Sequence, residues 1–191
     1  MEAAHILLCG GIGVIPTDTI YGIAGSAFSP DTVKRIYHIR KRAKTKPMIV
    51  LIASLSDLKR FGVRISAARR KILSKLWPGP ASVILPVRSK KFRYLHRGKK
   101  SVAFRMPAKQ ALRGLLKKTG PLVAPSANPE GLPPAKNIRA ARKYFGIRVD
   151  FYLDGGTLKG KPSTLISLKP SGKVNVIRQG ALSLISLIRP N

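Results

Sequence analysis

Residues 155–168 read GGTLKGKPSTLISL, and two folds diverge on how this stretch is understood. Gly155, Gly160 and Lys161 fit G-x-x-x-x-G-K, the loop whose backbone N–H groups and lysine cradle nucleotide phosphates. The next position of that loop is a Ser or Thr that holds Mg²⁺, and the chain then enters a helix. Here the position is Pro162, with Ser163 and Thr164 one step late. FYLD (151–154) can supply the strand before the loop, but STLISL (163–168) alternates as a second strand, and proline removes an N–H from the cradle. Both requirements of context fail. The stretch reads as a sharp turn between two late strands, and any phosphate must be handled elsewhere.

Outward from this turn, short apolar runs alternate with amphipathic segments. IGVIP (12–16), MIVLIA (48–53), ASVILPV (81–87), SVAFRMP (101–107) and LVAP (122–125) read as strands. Three more close the chain near 149–153, 164–168 and 174–178. Helices are expected over 31–42, capped by Ser29 or Asp31, and over 56–61, 66–76, 108–118 and 135–144. Val33, Ile36, Tyr37 and Arg40 fall along one side of the first. KKFRYLHRGKK (90–100) reads as a basic loop with two aromatics. Strands interleaved with helices predict an α/β domain. The closely spaced late strands predict a mixed rather than a parallel sheet. With no repeat and no long linker, one domain is expected over 1–191.

The charge is extreme: 37 Lys and Arg against 7 Asp and Glu, a formal net charge of +30. Such a field attracts polyanions, but charge alone does not separate an RNA or anionic-substrate partner from a basic, solvated surface. No apolar run reaches the ~20 residues of a membrane span. The N-terminus, with Glu2 and no cationic segment, is a poor signal peptide, so a cytoplasmic protein is expected. A single cysteine, Cys9, excludes an internal disulfide framework. It lies in an apolar run and reads as a small buried hydrophobe, and the three histidines offer no zinc spacing.

Groups suited to oxyanions are bunched. PTDTIYG (16–22) sets two hydroxyls and a phenol around one turn, and RKRAKTKP (40–47) ends a helix with five cations. APSAN (124–128) ends a strand with a hydroxyl and an amide, FRMP (104–107) carries one arginine on an apolar strand, and Arg178 ends VNVIR. Singly, each has an ordinary explanation in turn chemistry or helix-dipole complementation.

Their order is the signal. GVIPTDTIYGIAG, RIYHIRKRAKTKPMIVLI, WPGPASVIL, VAFRMP, APSANPEG, LDGG, PSTLISL and VIRQG together resemble the YrdC/Sua5 family of threonylcarbamoyl-AMP synthases, over about residues 11–180. The length resembles the short, single-domain YrdC type. The resemblance implies an open, twisted mixed sheet with flanking helices around a large basic cavity. It implies a nucleotidyltransferase that joins L-threonine, bicarbonate and ATP, with Mg²⁺, into threonylcarbamoyl-AMP and pyrophosphate. That product serves N6-threonylcarbamoyladenosine formation at position 37 of tRNA, through downstream threonylcarbamoyl-transferase proteins. The chemistry calls for positioning and charge cancellation more than a strong base, which suits a site of Arg, Lys, Ser, Thr and Asn.

By the same resemblance, Thr19, Tyr21, Arg105, Ser126 and Ser163 would bind threonine. Arg42, Lys46, Ser126, Asn128 and Arg178 would bind ATP, and Arg40, Arg42, Ser126 and Asn128 would carry catalysis. Several positions depart from the family pattern. Arg40 replaces a lysine of K-x-R, Leu51 stands where some members have His, Glu130 replaces a serine of S-x-N-x-S-G, and Lys136 ends what is otherwise S-P-T. The expectation is that Arg42 makes a directed phosphate contact, while at Arg40 a point charge suffices.

Two other readings use the same residues. An RNA-binding or ribosome-maturation protein with weak or no catalysis would explain the charge and the 90–100 segment. A carbamoyl-transfer domain of hydrogenase maturation would bring acylphosphatase and zinc-finger segments, for which the sequence has neither room nor cysteines.

Overall fold

Strand residues of this chain alternate between two apolar environments, one on each face of a single mixed sheet. A computed structural model describes residues 2–168 and 174–182, so the one-domain expectation over 1–191 reaches beyond them. The strands are β1 (Ile12–Pro16), β2 (Tyr21–Ser26), β3 (Ile49–Leu51), β4 (Ala81–Pro86), β5 (Ser101–Arg105), β6 (Leu122–Val123), β7 (Phe151–Tyr152), β8 (Thr164–Leu168) and β9 (Val174–Arg178). They lie in the order β7-β1-β2-β6-β3-β5-β4-β8-β9. β1/β7, β3/β5 and β4/β8 are parallel and the remaining pairs antiparallel. The sheet is therefore open, with β7 and β9 at its edges, and carries the twist that L-residues impose.

The two faces can be read residue by residue. Val14, Ile23, Val50 and Val123 join the larger core. Their neighbours Ile15, Ala24, Leu51 and Leu122 join a smaller one on the opposite face, as a period of two requires. The helices are α1 (Glu2–Leu8), α2 (Pro30–Ile39), α3 (Ala67–Leu76), α4 (Arg93–His96), α5 (Gln110–Thr119) and α6 (Ile138–Phe145). Leu7 of α1 with Leu112 and Leu116 of α5 covers the smaller face. α2, α3 and α6 bring Ile36, Leu73 and Phe145 to the larger one. There Phe61 stacks on Phe28 at 4.9 Å between ring centroids and meets Phe104 edge-on at 5.0 Å.

Several sequence expectations are corrected. β2 and α1 were not anticipated, because two glycines, an alanine and a serine dilute the strand signal of YGIAGS and the seven residues of α1 bury only Leu7. Cys9, expected buried, is exposed just past α1, with its sulfur 3.7 Å from His5 Nε2. Segment 90–100 is not an open loop. It folds into a short 3₁₀ turn and α4, burying Phe92, Leu95 and His96, so its aromatics serve packing. The α2 helix stops at Ile39 rather than running to 42. Lys41 takes φ +50°, the left-handed region that ends a helix. Segment 153–163 carries no regular structure and leads from edge strand β7 to β8 near the other edge, so it crosses the sheet rather than forming a hairpin. The rejection of a phosphate loop stands, since a strand and not a helix follows it.

Candidate active site

The crossing segment closes over the β1–β2 turn. Thr17 makes that turn, its Oγ1 donating to the Ile20 carbonyl at 2.7 Å and accepting from Thr19 N–H at 3.1 Å. Gly160 then passes so close to the Thr19 carbonyl that a Cβ there would overlap it. The Tyr21 hydroxyl donates to the Gly156 carbonyl and accepts from Gly155 N–H, each at 2.8 Å. Burial raises its pKa. The phenol was expected at threonine; its hydroxyl is instead committed to holding the crossing segment, while its ring lines the cavity beneath.

That cavity is narrow, about 80 Å³, and brings Thr19, Arg105, Ser126, Ser163 and Arg178 together above Leu51. Arg105 leaves β5 into an almost water-free setting. Nε donates to the Gly79 carbonyl at 3.1 Å and Nη1 to Thr19 Oγ1 at 2.8 Å, while Nη2 forms an ion pair with Asp18 at 2.7 Å. Desolvation lowers the Arg105 pKa, and Asp18 opposes that shift. A guanidinium has five donors, so capacity remains for a substrate carboxylate. Asp18 is the partner that sequence reading missed. Its only local signal is an acid between two hydroxyls, which turn chemistry explains equally well. Ser163 Oγ lies 2.8 Å from Ser82 Oγ, so two distant segments, WPGPAS and GKPST, fix one another.

A second compartment of about 460 Å³ adjoins the first, and Ile49, Ser126 and Arg178 line both. Arg40, Arg42 and Lys99 bring further charge to an apolar floor of Met48, Ile84 and Leu165. Arg178 Nη2 donates to the Ser163 carbonyl at 2.9 Å, and burial followed by Arg42 lowers its pKa. Arg40 is only 2% exposed. Its Nε donates to the Asn128 carbonyl at 2.9 Å, and its Nη2 reaches Ser126 Oγ at 3.3 Å and Asn128 Oδ1 at 3.4 Å. Burial and then Arg42 push its pKa down to about 10, so it stays cationic at neutral pH. Nη1 is buried without a hydrogen-bond partner among the described residues.

These contacts reverse the expected division between the two arginines. Arg42 is half-buried and bonds the Lys46 and Pro47 carbonyls. Arg40 holds the fixed, planar geometry. Asn128 also differs from expectation: its amide N–H₂ donates to the Pro129 and Leu132 carbonyls at 2.9 and 2.7 Å, so it shapes the 126–132 loop and orients Arg40. Lys46 does not line the compartment. Its ammonium is ion-paired with Glu130.

On the other side of the 40–44 segment lies a groove of about 670 Å³, where Lys34, His38, Lys41, Lys44 and Arg97 border Tyr37 and Tyr94. Arg97 lies 4.1 Å over the Tyr37 ring. Arg42 is shared between this groove and the second compartment. Among the described residues no group of three or more His, Cys, Asp or Glu converges, and no helix is long and apolar enough to cross a membrane.

Comparison with known proteins gives the family and the fold. The Sua5/yciO/yrdC family profile, described as telomere recombination, matches residues 5–180. A threonylcarbamoyl-AMP synthase of Pyrococcus abyssi is 33% identical over 185 residues, covering 95% of this chain and 54% of that protein. One from Cellvibrio japonicus is 30% identical over 154 residues, covering 80% of this chain and 82% of that protein. The crystal structure of P. abyssi Sua5 complexed with L-threonine superposes with a TM-score of 0.89 at 30% identity, over 97% of this chain and 55% of that one. E. coli YciO shares the fold, with a TM-score of 0.85 at 24% identity over 98% and 91% of the two chains. The chain thus spans about half the length of the P. abyssi relative and about four-fifths of the C. japonicus one.

Proposed function

The chain belongs to the Sua5/YciO/YrdC family, and we propose that it is a threonylcarbamoyl-AMP synthase acting in the cytoplasm on L-threonine, bicarbonate and ATP. The observation that carries this reading is the pair of joined compartments. The narrow one offers a buried guanidinium between two hydroxyls, and the wider one offers three arginines over an apolar floor.

Arg105, Thr19 and Ser163 hold the threonine carboxylate and hydroxyl, which leaves the amine free to attack bicarbonate. The carbamate forms with loss of water. One of its oxygens then displaces pyrophosphate from the α-phosphorus of ATP, near the wall that Ser126 and Arg178 share. Arg40, Arg42 and Arg178 face the charge that builds on the phosphates, in a site where water screens little. Arg40 is already oriented by Asn128, so little reorganisation is needed at the moment of transfer. Mg²⁺ enters with ATP as part of that substrate and neutralises phosphate charge. The product would pass to a downstream transferase for N6-threonylcarbamoyladenosine formation in tRNA.

The test is pyrophosphate release by the purified protein with threonine, bicarbonate and Mg-ATP. Release should stop when either threonine or bicarbonate is omitted. Appearance of ADP and phosphate instead would exclude this chemistry.

One observation favours a second role, RNA binding with or without catalysis. The groove beside α2 presents Lys34, Lys41 and Lys44, none of them ion-paired among the described residues, with Asp31 the one acid on its wall. Such a surface suits a phosphate backbone. Salt-dependent binding of a tRNA measures this role independently of turnover.

A further inference from the structure

Among the described residues the 40–47 segment is ion-paired with one acid, Glu130, and the two are joined at three points. Glu130 Oε1 is ion-paired with Lys46 Nζ, and Oε2 accepts from Ala43 N–H at 2.6 Å. The Glu130 N–H donates to the Arg40 carbonyl at 2.8 Å. An ammonium and a backbone N–H, with Arg42 close enough to contribute, converge on one carboxylate and hold its pKa below the usual range. This is the donor set of an anion cradle. Here its anion is a side chain of the protein itself.

Lys46 is thereby held at Glu130 and is not among the residues lining the compartment of Arg40 and Arg42. An incoming polyphosphate competes with Glu130 for the same ammonium and is repelled by the same carboxylate. We propose that Glu130 competes with the nucleotide's β- and γ-phosphates for Lys46, which withdraws Lys46 from the site and sets the affinity for ATP. The inference rests on the reading of the wider compartment as the ATP site.

The competition has a distinct signature. Glu130→Gln keeps the size of the side chain and an acceptor for Ala43 N–H, but removes the charge. Binding of Mg-ATP and of AMP to the intact protein can be followed by calorimetry, without turnover. ATP should bind about threefold to tenfold tighter to Glu130→Gln, in line with an exposed ion pair released and one repulsion removed. AMP lacks the β- and γ-phosphates and should bind unchanged. Lys46→Gln should weaken ATP binding little in the parent and clearly more in the Glu130→Gln background, so the double-mutant cycle shows coupling. Glu130→Ser, which shortens the side chain, should repeat the gain and covers a failure of the first variant to fold. Unchanged or weaker ATP binding in both variants, with ATP still bound by the parent, overturns the competitor role alone. A parent and variants that bind no ATP overturn the nucleotide reading with it.

Discussion

Arg40 Nε donates to the Asn128 carbonyl at 2.9 Å across 88 positions of sequence, locking the end of α2 to the loop after β6. The guanidinium is held in one plane by this bond and by its contacts to Ser126 Oγ and Asn128 Oδ1. Lysine is a point charge and cannot reproduce the fork. Arg40→Lys is therefore expected to slow pyrophosphate release by about 10-fold or more, equivalent to roughly 1.4 kcal/mol of transition-state stabilisation. Arg42→Lys should lose less, since among the described residues the Arg42 guanidinium bonds carbonyls of its own loop alone. Rate measurements on both variants decide the order, and a larger loss at Arg42 would show that the locked geometry is not what turnover uses.

Gly160 is required by close approach rather than by its backbone angles. A Cβ would overlap the Thr19 carbonyl, which is backbone and cannot swing aside. Gly160→Ala should push the crossing segment off the narrow cavity and move Ser163 away from Arg105. Displacements near 1 Å cost up to about 100-fold in positioned reactions. We expect at least about a 10-fold rise in the threonine KM, with thermal stability only modestly lowered. A variant with unaltered KM would mean that the segment does not form the wall of the threonine site.

Asp150 ties three elements together. It accepts from Ile12 N–H at 2.7 Å and takes a two-pronged contact from Arg35, with distances of 2.7 and 2.9 Å. Arg35 is the main cause that holds its pKa below the ordinary 3.8. A depressed carboxylate contributes stability above its unfolded pKa and loses it as pH falls through the folded one. Asp150→Asn should therefore lower stability at neutral pH by on the order of 1 kcal/mol, a value discounted for partial exposure. It should also flatten the fall in melting temperature below about pH 4. Melting curves from pH 2.5 to 7 test both parts. Parallel profiles for variant and parent would contradict the linkage.

Local and diffuse charge can be separated at matched net charge. Lys34→Gln/Lys41→Asn/Lys44→Gln neutralises the groove beside α2, with asparagine chosen to suit the positive φ of Lys41. Arg70→Gln/Lys71→Gln/Lys75→Gln removes the same number of exposed charges from α3. If the groove carries RNA, the first variant should reduce the slope of log affinity against log salt by about 2–3 and the second by much less. Equal reductions would assign RNA affinity to the overall field.

The parts of this molecule that were readable in advance share one property: their signals are local. IGVIP became β1 residue for residue, Ser29 capped α2, and Val33, Ile36 and Tyr37 of α2 turned inward together with Arg40 just past its end. Motif order carried the family, and the rejection of the phosphate loop needed only Pro162 and the alternation of STLISL. What was missed depended on partners distant in the chain. β2 is a strand because β1 and β6 flank it, which compensates for its glycines and alanine. Phe92 and Tyr94 looked like a nucleic-acid face until the core and the Ala27 carbonyl claimed them.

Sequence by itself determined an α/β chain with a mixed sheet, its family, and the residue types that converge on the site, because periodicity and ordered motifs are properties of the chain alone. Tertiary structure decided the roles. Arg40 rather than Arg42 is locked, Tyr21 and Asn128 hold backbone, Asp18 partners Arg105, and Glu130 is ion-paired with Lys46. The physical reason is that donors and acceptors are exclusive. A side chain whose hydrogen bonds are filled by a segment some 85–135 residues away in the chain has those donors no longer free for substrate, and only the folded chain shows which ones are filled.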